Sequence, residues 1–439
     1  MNIEQVKALF VTAGCIRLYA KLLAENDNSK NQIYFGPDFS ALSLFPTQQI
    51  TAEGNPQKPI YKGKLNFRWL SNNGMPSEAP GAQLILYPQY PEVRFSGFLK
   101  GSKNAPNHLL NKRLANRVLF MGVAEDGEIS GYLAAGESEL SCEFVARFTE
   151  PSFGVFTELM LPTTKAEDAR TALLSELTRI SELEWITSKR LSRDGAIMAC
   201  NAPNCGGYTL EAELGITPNG RSEPDYLGYE VKQTAVPGFH RLTSGTITLM
   251  TPEPTGGIYT TEGPEFFVRQ FGYSDKKGRG DRMNFGGLHR AGVRHQGTEL
   301  TLSLLGFGNG KIANRDGCLA LVGDAGQIAA SWDFKSLMQH WTRKHAHAVY
   351  VPSMMRKDPL LEYCFSENVR LAEQPDFLRL LGAFESGVIY YDPGIKLEHA
   401  STANPKLKRR SQFRIRSADI PAIYGRVETV NVRTGNIVR

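Results

Sequence analysis

Through residues 1–150 the apolar positions come in short β-rich runs, "NQIYF", "AQLILYP", "EVRFSGFL", "RVLFMGVA" and "ISGYLAA", separated by Gly, Pro and Asn. Each run predicts a strand, and strands at this spacing predict a barrel or a sandwich. The pattern changes at "LPTTKAEDARTALLSELTRISELEWI", where Leu173, Leu177, Ile180 and Glu184 recur at helical spacing. That spacing predicts a helix of about five turns, with Thr164 and Glu167 as a capping box at its start. The stretch Pro151–Thr163 in front of it predicts a boundary between a domain over 1–155 and one over 160–439. Beyond it, helices and strands mix. "GGYTLEAELGI" predicts a glycine-led helix and "WDFKSLMQHWTRK" another, while "YLGYEVKQ", "GTITLM", "TELTLSLLGF" and "HAVYVP" predict strands, and "GVIYYDPG" and "FRIRSADIPAIYG" close the chain. The fold class is therefore mixed α/β. Neither an internal repeat nor a low-complexity segment is present.

Composition narrows the class. The chain is 41% hydrophobic, 22% charged and 10% aromatic, ordinary for a soluble folded protein. No apolar run reaches the ~18–20 residues that a membrane span needs. The early run "ALFVTAGC" is too short for a signal core and follows Glu4, so it reads as a first helix or strand. Six cysteines in 439 residues make no disulfide framework. The one close pair, Cys200 and Cys205, lacks the second pair that a zinc site needs, which points to a reducing cytoplasm. The net charge of +5 is small, but its distribution is uneven. "KLKRRSQFRIR" (406–416) has six basic residues in eleven and no acid, and "KKGRGDRMNFGGLHRAGVR" (276–294) has six against one Asp. Interleaved Phe, Met, Ile and Gly mark both runs as folded, and two such patches suit a phosphate backbone as well as a plain solvated surface.

Several motifs fail. "GFGNGK" has Leu305 and Ile312 where a phosphate loop needs Gly and Ser or Thr. There is no GxGxxG and no GxSxG. His345 and His347 would share one face of a strand, either as a metal pair or, more commonly, as packed side chains. The constellation that stands is "EPDYLGYEVKQ". Glu230 and Lys232, two apart on a strand, project to the same side. Asp225 lies beyond Gly228, which permits a bend that returns it beside Glu230. Two carboxylates can hold a hard cation such as Mg²⁺ that keeps several of its waters. Lys232 can orient or help deprotonate a water, or stabilise charge on a phosphorane. Glu211, on the preceding helix, is placed to reach the same centre. Asp-x4-Glu-x-Lys also arises by chance, and Glu211 and Glu213 could be plain surface helix residues.

The segment "GGYTLEAELGITPNGRSEPDYLGYEVKQ" resembles the catalytic core of the MvaI/BcnI restriction endonuclease family within the PD-(D/E)xK nucleases. The likeness rests on Glu211, Pro224, Asp225, Glu230 and Lys232, and extends through "EWITSKR", "ASWDFKSLMQHW", "HAVYVP" and "SQFRI". It covers residues 164–439, with "YYDPGIKL" around Asp392 departing from the family pattern. "RLYAKLLAENDNSKNQIYFG" resembles the start of the EcoRII-type amino-terminal effector domain, a DNA-binding β-pseudobarrel. Lys21, Asn26, Asp27 and Gln32 stand at that domain's signature positions. A barrel followed by such a nuclease is the architecture of UbaLAI-type enzymes.

The resemblance implies a type II restriction endonuclease that acts as a monomer on double-stranded DNA with Mg²⁺ and has room for up to two copies of its target. Asp225 and Glu230 would bind the metal, Lys232 would assist the nucleophile, and Glu211 would support the centre. Within the basic runs, Arg279, Arg282, Arg290, Arg294, Arg410 and Arg414 are expected to contact DNA, with His345, His347 and Asp392 lining the groove. The competing expectation is a DNA-binding protein without catalysis, in which the carboxylates form only an ion network; the intact Glu-x-Lys argues for the nuclease.

Overall fold

The computed structural model describes the chain except for residues 28–30, 162–164, 203, 218–223, 277 and 439. The expected capping box of Thr164 and Glu167 lies outside the described residues. The chain divides into two units, Met1–Leu173 and Leu174–Arg439, with the division falling inside the Lys165–Glu182 helix. Leu173, Leu177 and Ile180 of that helix are buried. Glu184 is not on this face: the helix ends before it, and Glu184 is exposed with a φ of +53°.

The first unit opens with the Ile3–Thr12 helix, capped by Asn2, which buries Ile3, Val6 and Phe10. All five of the β-rich runs are strands, and they fall into two sheets. One has the order Thr157–Glu158, Cys15–Leu22, Val118–Ala124, Ile129–Ala134, Phe67–Leu70, Pro76–Glu78. The other runs Gln32–Gly36, Glu92–Ser96, Gln83–Tyr87, Lys58–Lys64, Ile50–Asn55. Their inner faces meet through aromatic rings: Phe67 lies 5.1 Å from Phe95, and Trp69 packs edge-on against Phe98. Among the described residues neither sheet closes on itself, so the unit is a pair of packed open sheets, the sandwich that the strand spacing allows beside a barrel.

The second unit is built on a mixed sheet ordered Ile186–Thr187, Glu362–Phe365, His347–Arg356, Asn368–Pro375, Tyr424–Asn431, and Glu230–Ala235 pairs in parallel with His347–Arg356. The His347–Arg356 strand is buried through residues 348–353, which explains its nearly continuous apolar run. The Phe334–Lys344 helix feeds directly into it and is capped by Asp333, whose carboxylate accepts from the Ser336 amide at 2.8 Å. Smaller sheets complete the unit. In one, Thr246–Met250 and Tyr390–Tyr391 flank Phe413–Arg416; in another, Leu300–Leu305, Cys318–Gly323 and Ile328–Asp333 form a meander. No helix among the described residues is long and apolar enough to cross a membrane.

Cys200 and Cys205 are joined in a disulfide, their Cα atoms 5.8 Å apart. The cysteine count alone suggests no cross-link. The short loop into the Cys205–Glu213 helix brings the two thiols together, which a spacing of five in sequence does not settle.

Trp332 ties the smaller sheets together. It is fully buried, donates from its indole N–H to the Pro252 carbonyl at 3.0 Å, and packs edge-on against Tyr391 and Phe413. Trp332→Ala is expected to lower stability by about 3–5 kcal/mol, the usual cost of emptying a large aromatic site, as measured by urea unfolding.

Candidate active site

The site begins at a tight turn. Tyr226 and Tyr229 exchange backbone hydrogen bonds of 2.9 and 2.8 Å across Leu227 and Gly228. Both central residues have positive φ, +47° and +81°, the signature of a type I′ turn. Glycine takes that conformation freely and leucine does not, so the turn is held by the pairing around it. It reverses the chain so that Asp225 Oδ2 accepts from the Val231 amide at 3.2 Å. Asp225 thereby comes beside the start of the Glu230–Ala235 strand.

Glu230 has no exposed surface. Lys232, two residues on, donates to its Oε1, while Oε2 has no hydrogen-bond partner among the described residues. A second ammonium, Lys344 Nζ, stands 3.4 Å from Glu230 Oε1 and 3.9 Å from Asp225 Oδ1. Glu211 faces the same cleft from the Cys205–Glu213 helix. That helix is pinned by its other acidic residue: Glu213 pairs with Lys189 at 2.5 Å and Arg179 at 3.3 Å, and Arg179 also donates to the Glu213 carbonyl. Glu211 and Glu213 therefore differ in role, one lining the cleft and one anchoring its wall.

The electrostatics follow from crowding carboxylates where water is scarce. Burial, reinforced by the charge of Asp225, pushes Glu211 up to about 7. Burial likewise raises Glu230 to about 7, against the pull of Lys232. Burial by itself would lower Lys232, but Glu230 and Asp225 outweigh it and the lysine is raised, so it keeps its proton.

A cleft of about 610 Å³ opens beside these groups. Its walls carry Glu211, Lys232, Lys344, His340 and Arg414. His340 and Lys344 are four apart on one helix and so share a face. Neither is part of the Asp-x4-Glu-x-Lys pattern; helical spacing in "HWTRK" is the signal that could have found them. Among the described residues, no three His, Cys, Asp or Glu side chains are gathered as a ready-made metal cluster. What the site offers is two carboxylates and an unpartnered buried oxygen, a set that fits a hard cation retaining much of its water.

The other expected contact residues scatter into distinct settings. Arg414 Nη1 donates to Asp392 at 2.7 Å, Gln412 donates to the same carboxylate oxygen, and Arg414 Nε has no partner among the described residues. Arg279, Arg282 and Arg410 converge elsewhere, around Lys396. Lys396 is lowered by partial burial and then by these three cations, and it is absent from the expected set. Gly394 leaves room for the Arg410 guanidinium, which a Cβ there would meet at 2.6 Å. Arg282 is steadied by Asn284 at 3.0 Å and Asp275 at 3.5 Å. Arg290 bonds the Gly387 carbonyl and stacks over Tyr390, while Arg294 lies exposed in a pair with Asp324 at 2.7 Å.

The two histidines do not share a strand face, because the strand starts only at His347. His345 caps the preceding helix, is fully buried and stacks on Trp341. One ring nitrogen lies 3.1 Å from the Leu249 carbonyl and the other 3.0 Å from the Tyr424 hydroxyl, so the neutral ring donates to the first and accepts from the second. Burial holds it well below the usual histidine range. It braces the core and does not line a groove. His347 is half-buried near Tyr229 and Glu373.

In the first unit, Lys21 is buried and pairs with Asp27 at 2.7 Å, and Asp27 also accepts from the amides of Ala24 and Tyr34. These two expected DNA-contact residues hold their own turn together. Asn26 is exposed on that turn, and Gln32 donates to the Tyr87 hydroxyl at 3.3 Å.

The sequence profile of the MvaI/BcnI restriction endonuclease family matches residues 174–424. Among solved structures, "Restriction endonuclease MvaI-cognate DNA substrate complex" aligns at 16% identity over 59% of this chain and 96% of that one, with a TM-score of 0.45. "Restriction endonuclease MvaI in the absence of DNA" aligns at 14% identity over 60% and 97%, with a TM-score of 0.34. A comparison with curated protein sequences finds no match.

Because the fold raises Glu211 from 4.5 to about 7, its contribution to stability is complete below the lower value and is lost as pH rises through the higher one. Without a divalent ion, Glu211→Gln is therefore expected to be more stable than the parent at about pH 8, by on the order of 1–3 kcal/mol, with the gap closing towards about pH 5. Urea unfolding in a chelator at the two pH values measures this. An equal gap at both would show that Glu211 does not titrate in this range.

Proposed function

This chain belongs to the MvaI/BcnI restriction endonuclease family, and from that premise we propose that it is a type II restriction enzyme, a site-specific deoxyribonuclease that cleaves double-stranded DNA with Mg²⁺. The observation that carries the reading is the fully buried Glu230 carboxylate with one unpartnered oxygen, set between Asp225 and Lys232 at a cleft. Asp225 and Glu230 are the residues that hold the cation. When bound, the cation supplies Lewis acidity at the scissile phosphate and makes a bound water a better nucleophile. Lys232 keeps its proton, so its part is to orient the attacking water and stabilise negative charge on the phosphorane, not to act as the base. Glu211 closes the acidic wall of the centre.

Across the cleft, Arg414 supports a DNA-reading role. Asp392 fixes one edge of its guanidinium, and the part-exposed side chain lines the same cleft as Lys232. The cluster of Arg279, Arg282, Arg410 and Lys396 suits the phosphate backbone. The first unit, on its sequence likeness to an effector domain, is assigned a second DNA site, and the enzyme is assigned as a monomer.

Asp225→Ala and Lys232→Ala are each expected to abolish plasmid cleavage in Mg²⁺ while DNA binding persists. Ca²⁺ should support binding without cleavage, since its looser coordination orients the water poorly. Cleavage by either variant at the parental rate would place the centre elsewhere.

Arg414→Ala is expected to weaken binding to the specific duplex by about 1–3 kcal/mol. Lys406→Ala should weaken all duplexes alike and reduce the salt slope by about one unit. Equal loss on specific and random duplexes would make Arg414 a phosphate contact. If the first unit is an effector, two-site plasmids are cut faster than one-site plasmids, or an added target oligonucleotide accelerates the latter. Identical rates would leave that unit as a tether.

A further inference from the structure

We propose that Lys344 is a resident counter-cation of the active site, holding the carboxylates of Asp225 and Glu230 together in the metal-free protein and competing with the divalent ion for them. The proposal rests on the nuclease reading above, because it concerns how that same centre loads.

The two active-site lysines are held differently. Lys232 is on the same strand as Glu230 and is hydrogen-bonded to it. Lys344 comes from another element, the last residue of the Phe334–Lys344 helix. Its Nζ lies 3.4 Å from Glu230 Oε1 and 3.9 Å from Asp225 Oδ1, beyond ordinary hydrogen-bond length. It is held by charge, not by directed bonds, and its side chain is one-fifth exposed at the cleft. The ammonium therefore straddles the same two carboxylates that would ligate a cation. Asp225 Oδ2 is turned the other way, into the Val231 amide, so Oδ1 is the oxygen left for either occupant.

Two positive charges a few ångströms apart repel strongly wherever water is scarce. Loading therefore requires Lys344 to swing off the carboxylates. The cleft beside His340, one helical turn back, is where its flexible stem can go. The cost of moving it sets the metal affinity of the free protein. Once the carboxylates are neutralised by the divalent ion, the freed ammonium stays on the wall that faces the substrate. A lysine with a merely structural role predicts the opposite sign, since removing it would disorder the site and weaken metal binding.

Calorimetric titration of the full chain with Ca²⁺, in the absence of DNA, tests the sign. Lys344→Met and Lys344→Gln should each bind Ca²⁺ more tightly than the parent, by on the order of tenfold, while Lys344→Arg should stay near the parental affinity. Asp225→Asn should weaken the uptake in every background, which assigns it to this centre. Equal or weaker binding by both the Met and Gln variants, with parental uptake intact, overturns the role of Lys344 and leaves the nuclease reading standing. No uptake by the parent or by any variant overturns both.

Discussion

Everything in the second unit's chemistry depends on burying the Glu230 carboxylate. A carboxylate cut off from water is strongly disfavoured unless opposite charge stands next to it. Here Lys232 and Lys344 supply that charge from two different elements, and one oxygen is still left without a partner. The parallel pairing of Glu230–Ala235 with His347–Arg356 sets Glu230 opposite the buried Ala348, and the helix ending at Lys344 leads into that same partner strand. The backbone that buries the acid thus also delivers one of its counter-ions.

The same constraint explains the surrounding architecture. Asp225 is brought in by a turn with two positive-φ residues, one of them leucine, a conformation that persists only because the flanking tyrosines pair across it. Glu211 is held at the cleft because Glu213, two residues along its helix, is locked to Lys189 and Arg179. Beneath the site, His345, Tyr424 and Tyr350 form a buried hydrogen-bonded chain that joins the Thr246–Met250 segment to the main sheet. The first two devices each fix a carboxylate that would otherwise relax towards solvent, and the third fixes the packing around them.

Across the cleft the logic is similar but looser. Arg414 is oriented by Asp392, and both are contributed by the small sheet that Trp332 backs. Asp392 is thus the acid that orients the cleft arginine. Arg279, Arg282 and Arg410 gather around Lys396, whereas Arg290 and Arg294 have partners of their own.

Local pattern alone determined much of this protein. Short β-rich runs marked five of the first unit's strands, and helical spacing marked Leu173, Leu177 and Ile180 as a buried face, because strand propensity and helical periodicity are local properties of the chain. Adjacency on one strand put Glu230 with Lys232, and Gly228 marked the bend that returns Asp225. What lay beyond reach came from partners remote in sequence. Lys344 and His340 join the site only because their helix abuts the strand that pairs with Glu230. His345 leaves the expected strand face because the strand starts two residues later, and Lys21 and Asp27 turn towards each other. The strand runs allow a barrel or a sandwich and two packed open sheets form, since such runs specify pleat and face but not closure. Sequence spacing decides which side chains share a face; only the packed tertiary structure decides which charges share a volume without water, and the chemistry depends on that volume.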